Sequence, residues 1–256
     1  MRGVRVETEE FFRALTVEPV DGSPGRFVGR PGFDGEALFG GFVIGQAVNA
    51  AAQAAPAGLR LHSFHAYFLR PLFGGRPVDY SLTTIRDGRS FSSRRLVAEQ
   101  DGKATLEAIC SFTADAGDDI YDAPWAAPFP PVDSLDASAD GGPAAWVGRW
   151  VGPPERKWIR VPEPVPEVDH LHAALVGFAS DWTGRSGRPL DPHGDPSGMV
   201  SLDHALWFHR PPRADRWLAY ECEALVQSGG RSLLRGVMRD EAGAVVLSLA
   251  QEMLLR

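Results

Sequence analysis

Few stretches of this chain place reactive side chains at spacings that do chemistry on their own. Gly184-Arg185-Ser186-Gly187 resembles a nucleophile turn only superficially; no GxSxG occurs, so the strand-to-helix elbow of the α/β-hydrolases is absent. There is no P-loop, and no GxGxxG follows a strand. The pairs His170/His172 and His204/His209 lack the i, i+4 spacing of a helical zinc motif and have no Cys nearby, so structural roles and no metal are expected for them. Asp181 is different. It closes a segment, His170–Asp181, in which Leu171, Ala174, Leu175, Phe178 and Ala179 recur at helical spacing. A carboxylate ending an apolar stripe needs a partner to hold it, and a held carboxylate can take a proton from water. The plain alternative is a solvated helix end.

The elements that must position such a group form a repeat. Tyr67-Phe68-Leu69-Arg70-Pro71 matches Trp207-Phe208-His209-Arg210-Pro211 at an offset of 140, and Gly88-Arg89-Ser90-Phe91 matches Gly230-Arg231-Ser232-Leu233 at 142. The turns Asp101-Gly102 and Ala242-Gly243 match at 141, each before a last apolar run. Each half reads as a helix (Phe42–Ala55; His170–Asp181) followed by strands. In the first half these are His62–Leu69, Val78–Ile85, Phe91–Gln100 and Ala104–Phe112. In the second they are Val200–His209, Trp217–Gln227, Ser232–Arg239 and Ala244–Leu255. A helix wrapped by an antiparallel meander is the hotdog pattern. The expected class is α+β, a double hotdog: two helix-wrapped antiparallel β-sheets fused in one chain. The expected division is residues 1–114 as the N-terminal hotdog, 115–145 as a linker rich in Pro, Asp, Ala and Gly, and 146–256 as the C-terminal hotdog. Trp125 and Phe129 are expected to pin the linker to a surface, and 184–196 is a second loop.

Length and composition agree with two domains, since 256 residues exceed one ordinary domain. A net charge of −7 disfavours nucleic acid as a partner. No apolar run reaches the roughly 20 residues that span a bilayer, so no membrane partner is expected. The N-terminus carries Glu7, Glu9 and Glu10 and no apolar signal segment. Cys110 and Cys222 make no disulfide framework. A cytoplasmic protein is expected.

Six segments taken in order, LFGGFVIGQAV, LHSFHAYFLRP, DGRSFSSRR, LVGFASD, SLDHALWFHRP and SLAQEMLLR, resemble the bacterial acyl-CoA thioesterase II (TesB-like) family from about Leu38 to Arg256. The resemblance implies a double hotdog, acyl-CoA as substrate, a role in fatty acid metabolism, and no metal or organic cofactor. It also implies that Asp181, Ser201 and Gln251 hold the hydrolytic water, with Ser201 where the family more often has Thr. Gly41 and Phe42 fall in the first segment, with Phe42 where the family commonly has Gln, and both are candidate substrate contacts. The stretch Ser134–Ile159 is shorter than the family's, so a truncated opening strand is expected in the second half.

Arg89 and Arg94 are candidate partners of the CoA phosphates, because a guanidinium binds phosphate in bidentate fashion; a solvated strand face is the other reading. Asp203 and His204 are expected to pair with each other or to support Ser201. Cys110 stands where the second half has Gln251, so one active site per chain is expected. The expected enzyme is a thioester hydrolase with an acyl tunnel between the halves, near the first helix. Asp181 acts as general base or as nucleophile through an anhydride. The alternatives are a hotdog hydratase or dehydratase of acyl thioesters and a non-catalytic acyl-CoA-binding protein. By analogy with paired hotdog sheets, a homo-oligomer is expected.

Overall fold

The computed structural model describes residues 8–32, 37–114, 121–124, 127–136, 146–152, 155–183 and 198–256. The loop 184–196, with Ser186 and its neighbours, and Trp125 lie outside the described residues. The first half contains α1 (Thr8–Leu15), β1 (Val17–Pro19), β2 (Arg26–Gly29), α2 (Gly40–Gln53), β3 (Arg60–Phe68), β4 (Val78–Asp87), β5 (Phe91–Gln100) and β6 (Lys103–Thr113). The second contains β7 (Val147–Gly152), β8 (Arg156–Arg160), α3 (Asp169–Ser180), β9 (Met199–Ser201), β10 (Asp203–Phe208), β11 (Leu218–Ser228), β12 (Arg231–Arg239) and β13 (Val245–Leu255).

All strands belong to one antiparallel sheet, in the order β1-β2-β4-β5-β6-β3-β10-β13-β12-β11-β8-β7, with β9 beside β13. The order reads the same from both edges once equivalent strands are matched. The two meanders join where β3 pairs with β10, from Asp203 opposite Tyr67 to Trp207 opposite Ser63. These are the strands carrying the YFLRP and WFHRP repeats. The repeat extends to irregularities: β4 bulges between Thr84 and Arg86, β11 between Ala224 and Val226, and the skipped residues Ile85 and Leu225 are both exposed. This is the double hotdog expected.

The sheet wraps α2 and α3, which pack side by side and run antiparallel. Their approach requires glycine. A Cβ on Gly41 would lie 2.6 Å from the Phe178 carbonyl oxygen, and one on Gly45 would lie 3.1 Å from that of Ala174. One turn further along, Asn49 Nδ2 donates to His170 O at 3.1 Å. Buried amides also tie α1 and β1 down: Gln46 Nε2 donates to Ala14 O at 2.6 Å, and Asn49 Oδ1 accepts from Val17 N at 3.0 Å. Edge-on rings of Phe11, Phe39, Phe42 and Phe178 fill the end of the helix pair near Gly41.

Two strand expectations change. The opening strands of the second half are present as β7 and β8, which answer to β1 and β2 at the opposite edge. Val200–His209 is not one strand. β9 pairs Ser201 with Met253, whereas β10 pairs Ala205 with Ala250, so the register slips by one residue at Leu202. Leu202 N donates to Glu252 O while Leu202 O accepts from Phe68 N, both at 2.9 Å, so the slip falls where the strand enters between β13 and β3. Part of the linker lies on the second half: Phe129 packs edge-on against Trp158, and Asp122 accepts from Arg210 and from Val245 N.

Candidate active site

Asp181 is the C-cap of α3, Ser201 ends β9 and Gln251 lies mid-strand in β13. The helix lies on the inner face of the sheet, so its end meets the inward side chains of these strands. Gln251 Nε2 donates to Asp181 Oδ1 at 2.5 Å and to Ser201 Oγ at 2.8 Å, and Ser201 Oγ donates to Asp181 Oδ1 at 3.2 Å. The two amide protons of one nitrogen thus serve both partners. Asp181 and Gln251 are buried, and Ser201 is half-buried.

Burial dominates the carboxyl of Asp181 and pushes it up from 3.8 to about 6. Hydrogen bonds from Gln251, Ser201 and the Gly41 amide act the other way and favour the anion. The result is a carboxylate that is mostly ionised at neutral pH yet more basic than an exposed one. Oδ1 is occupied by the two side-chain donors. Oδ2 faces Gly40, where a Cβ would come within 2.7 Å of it. Glycine at position 40 therefore keeps a side chain away from that oxygen. The Gly41 amide is at the N-terminus of α2, so the positive end of that helix's dipole points at the carboxylate.

Further contacts hold the frame. Tyr220 OH donates to Ser180 O at 2.9 Å, and Lys157 Nζ donates to Trp182 O at 2.6 Å, on either side of Asp181. Lys157 is buried with Glu155, to which it donates at 2.9 Å, and lies 3.8 Å from the centre of the Trp182 ring. Nothing in the sequence around Lys157 marks this role.

The weaker candidates separate. Gly41 is at the site. Phe42 is one residue on, and its ring packs against Phe178 at 4.9 Å. Arg89 and Arg94 lie on the β4–β5 hairpin without a hydrogen bond to the trio. Arg89 is exposed, and Arg94 donates to Asp87 at 2.6 Å. Near the first helix, beside which the tunnel between the halves was expected, the rings of Phe11, Phe39, Phe42 and Phe178 pack edge-on. Asp203 and His204 do not pair, because adjacent strand residues point to opposite faces. Asp203 Oδ1 accepts from Glu252 N at 2.7 Å, whereas the buried His204 Nε2 meets Ser180 Oγ at 2.8 Å. His172 and His209 also have partners of their own, Ala214 N and Ser248 Oγ.

Two family models match the chain in succession: the acyl-CoA thioesterase N-terminal domain over residues 30–113 and the acyl-CoA thioesterase C-terminal domain over 112–255. The chain is 30% identical to acyl-coenzyme A thioesterase 8 of Homo sapiens, with 100% of this chain and 90% of that protein covered. Among solved structures, the tesB protein of Mycobacterium avium subsp. paratuberculosis is 30% identical. It superposes with a TM-score of 0.83 over 98% of this chain and all of that one. A hot dog fold protein of Alicyclobacillus acidocaldarius, 18% identical, shares the fold with a TM-score of 0.82 over 98% of this chain and 99% of that one. With both halves matched in order and the relatives covered nearly end to end, this chain belongs to the acyl-CoA thioesterase family.

Proposed function

We propose that the chain hydrolyses acyl-CoA thioesters to the free acid and CoA, using Asp181 as the base, with Ser201 and Gln251 orienting it and its water. The observation that carries this is the convergence of one raised-pKa carboxylate, one hydroxyl and one amide on a single buried point. In the reaction, water at Asp181 attacks the thioester carbonyl carbon and gives its proton to the carboxylate. The tetrahedral oxyanion collapses, the C–S bond breaks, and the CoA sulfur leaves as thiolate to take up that proton. The N-terminus of α2 beside Asp181 is the nearest set of backbone donors for the oxyanion. In the nucleophile variant, the carboxylate attacks directly and water opens the anhydride.

At the equivalent places the first half has Ala54, Leu61 and Cys110, none of which can hold water by charge. This supports one active site per chain and a division into residues 1–114, 115–145 and 146–256. An acyl tail leaving Asp181 meets the rings of Phe39, Phe42, Phe68 and Phe178. CoA phosphates on Arg89 and Arg94 remain part of the reading; Arg94 would exchange Asp87 for phosphate. Exposed Tyr67, Ile85, Phe91 and Ile109 on the outer sheet face support a homo-oligomer. Cys110 and Cys222, both buried and outside any disulfide, support a cytoplasmic setting in fatty acid metabolism. Among the described residues, no helix is long and apolar enough to cross a membrane.

Thiol release measured over a panel of acyl-CoAs tests the function. Release by the native chain and its loss in Asp181→Asn are expected; no release from any acyl-CoA would leave a binder or a hydratase. Label in the Asp181 carboxylate after single turnover in ¹⁸O-water shows the anhydride route with water opening it at the aspartyl carbon, because general-base attack carries label only into the free acid.

A further inference from the structure

Continuing the β10–β13 register one step beyond Ala205 and Ala250 sets His204 directly opposite Gln251. On one side Ala205 pairs with Ala250; on the other Glu252 N donates to the Asp203 side-chain Oδ1, and Leu202 N on Glu252 O marks where the slip to β9 begins. Such neighbours have Cβ atoms about 5 Å apart on one face. Both side chains are fully buried, and among the described residues Nδ1 of His204 and Oε1 of Gln251 have no other hydrogen-bond partner. Burial pushes the His204 ring down to about 3, with the Gln251 side chain the one group acting against it. The ring is therefore neutral and has one N–H to place.

The first half of the chain supplies an internal comparison. Phe64 occupies the place of His204 and Cys110 that of Gln251, and they too pair across strands, both fully buried. Where the acid, hydroxyl and amide are lacking, the histidine is lacking as well.

We propose that His204 is a positioning residue whose Nδ1–H donates to Gln251 Oε1, fixing which edge of the Gln251 amide faces Asp181. An amide has one donor edge and one acceptor edge, and their exchange is a simple rotation. Held by His204, Gln251 presents its NH₂ to Asp181 Oδ1 and Ser201 Oγ, as observed. Rotated, it sets a carbonyl oxygen against the carboxylate and disfavours the anion. The Ser180 hydroxyl donates to Gly177 O at 2.6 Å and lies 2.8 Å from Nε2, so with the ring proton on Nδ1 it must turn that proton from Gly177 O to Nε2. The proposal rests on the reading of Gln251 as part of the water-holding set.

The direct test is the tautomer of His204 in the full, unmodified chain, read by long-range ¹H–¹⁵N correlation with ¹⁵N-histidine labelling. An Nδ1–H ring is expected; an Nε2–H ring overturns the proposal, whatever any variant does. Two substitutions add a kinetic test. The amide nitrogen of His204→Asn overlays Nδ1 and keeps the donor to Gln251, while that of His204→Gln overlays Nε2 and keeps only the Ser180 contact. His204→Gln should lower kcat on the best acyl-CoA about tenfold with KM little changed, and His204→Asn should retain most of it. The acid limb of kcat/KM should move to higher pH in His204→Gln alone, because the Asp181 anion loses a fixed donor. The other titratable groups around Asp181, Lys157 on β8 and Tyr220 on β11, are the same in both variants. Equal losses in both variants with an unmoved acid limb would mean a merely structural ring and refute the proposal. Retained turnover in Asp181→Asn would instead refute Asp181 as the base, while the tautomer alone still decides the role of His204.

Discussion

Gly41 and Asp181 come from different halves of the chain, and the amide of the first donates to the carboxylate of the second. The close antiparallel approach of α2 and α3 makes this possible, and it leaves no room for a side chain. In Gly41→Ala the new methyl would lie 2.5 Å from Phe39 Cε1 and 2.6 Å from Phe178 O, the latter fixed backbone. The helices must move apart. Gly41→Ala should lose about 1–3 kcal/mol of stability in urea unfolding, and kcat should fall with it.

Asp181→Asn should separate activity from stability. The folded carboxyl stands at about 6 against an ordinary 3.8. Between these values the folded chain keeps a proton that the unfolded chain has released, so stability falls as pH rises through the window and stays low above it. Asn has no ionisation to suppress. The variant should therefore be more stable than the native chain above pH 6, by up to about 3 kcal/mol at 1.36 kcal/mol per unit, with the gain fading toward pH 4. Its kcat should drop roughly 10²-fold or more. Paired unfolding curves at pH 4.5 and 7.5 check the first part; equal stabilities at both would contradict the buried, raised carboxyl.

The acid limb of kcat/KM should fall near pH 6, where Asp181 takes up its proton. Gln251 and Ser201 both favour the anion, so Gln251→Ala and Ser201→Ala should each move the limb to higher pH. Their combined effect on kcat should be less than additive, because both act on one carboxylate and one water. A limb moving to lower pH in either variant would show that its donor does not reach the ionised form.

Lys157 and Glu155 form a buried pair whose worth lies in being complete. Lys157→Met strands a buried carboxylate and should cost about 3–5 kcal/mol, much of it recovered in Glu155→Gln/Lys157→Met. Burial also pushes the ammonium down from 10.5 to about 8. From pH 8 to 10.5 the unfolded chain holds a proton that the folded chain has released, so stability should rise with pH there, and that rise should vanish in the variant.

The ring of Phe42 lies 4.9 Å from that of Phe178 and 5.8 Å from that of Phe11. Phe42→Ala should open space beside Asp181 and shift the preferred acyl-CoA by two or more carbons, seen as a moved maximum of kcat/KM over the panel. An unmoved maximum would mean that the tail runs elsewhere.

The repeat of YFLRP and WFHRP made the paired meanders legible, because strands at the join keep their turn-ending Arg-Pro and their aromatic faces. Asp181 was legible as a charge at the end of an apolar stripe, whereas Ser201 and Gln251 came only through family likeness. The short edge strands β1, β2, β7 and β8 were not visible, since three to six residues hold too few periods to stand out. His204 was expected to pair with Asp203 or to support Ser201; as its neighbour on β10 it faces away from Asp203, and the slip at Leu202 that brings it to the side of Ser201 is invisible in an alternation count. In an unbroken strand Ser201 and His204, three apart, would face opposite ways; the slip turns both toward Gln251.

The join of β3 to β10 has a consequence for how activity returns after unfolding. In each half the β4–β5–β6 and β11–β12–β13 pairings join neighbours in sequence and close quickly, whereas Ser63 meets Trp207 only across most of the chain. The Gly41–Asp181 bond exists only once that long-range docking is complete. Refolding should therefore restore the far-ultraviolet circular dichroism of the separate sheets before any turnover, and the lag between the two signals would time the closure of the longest loop in the molecule.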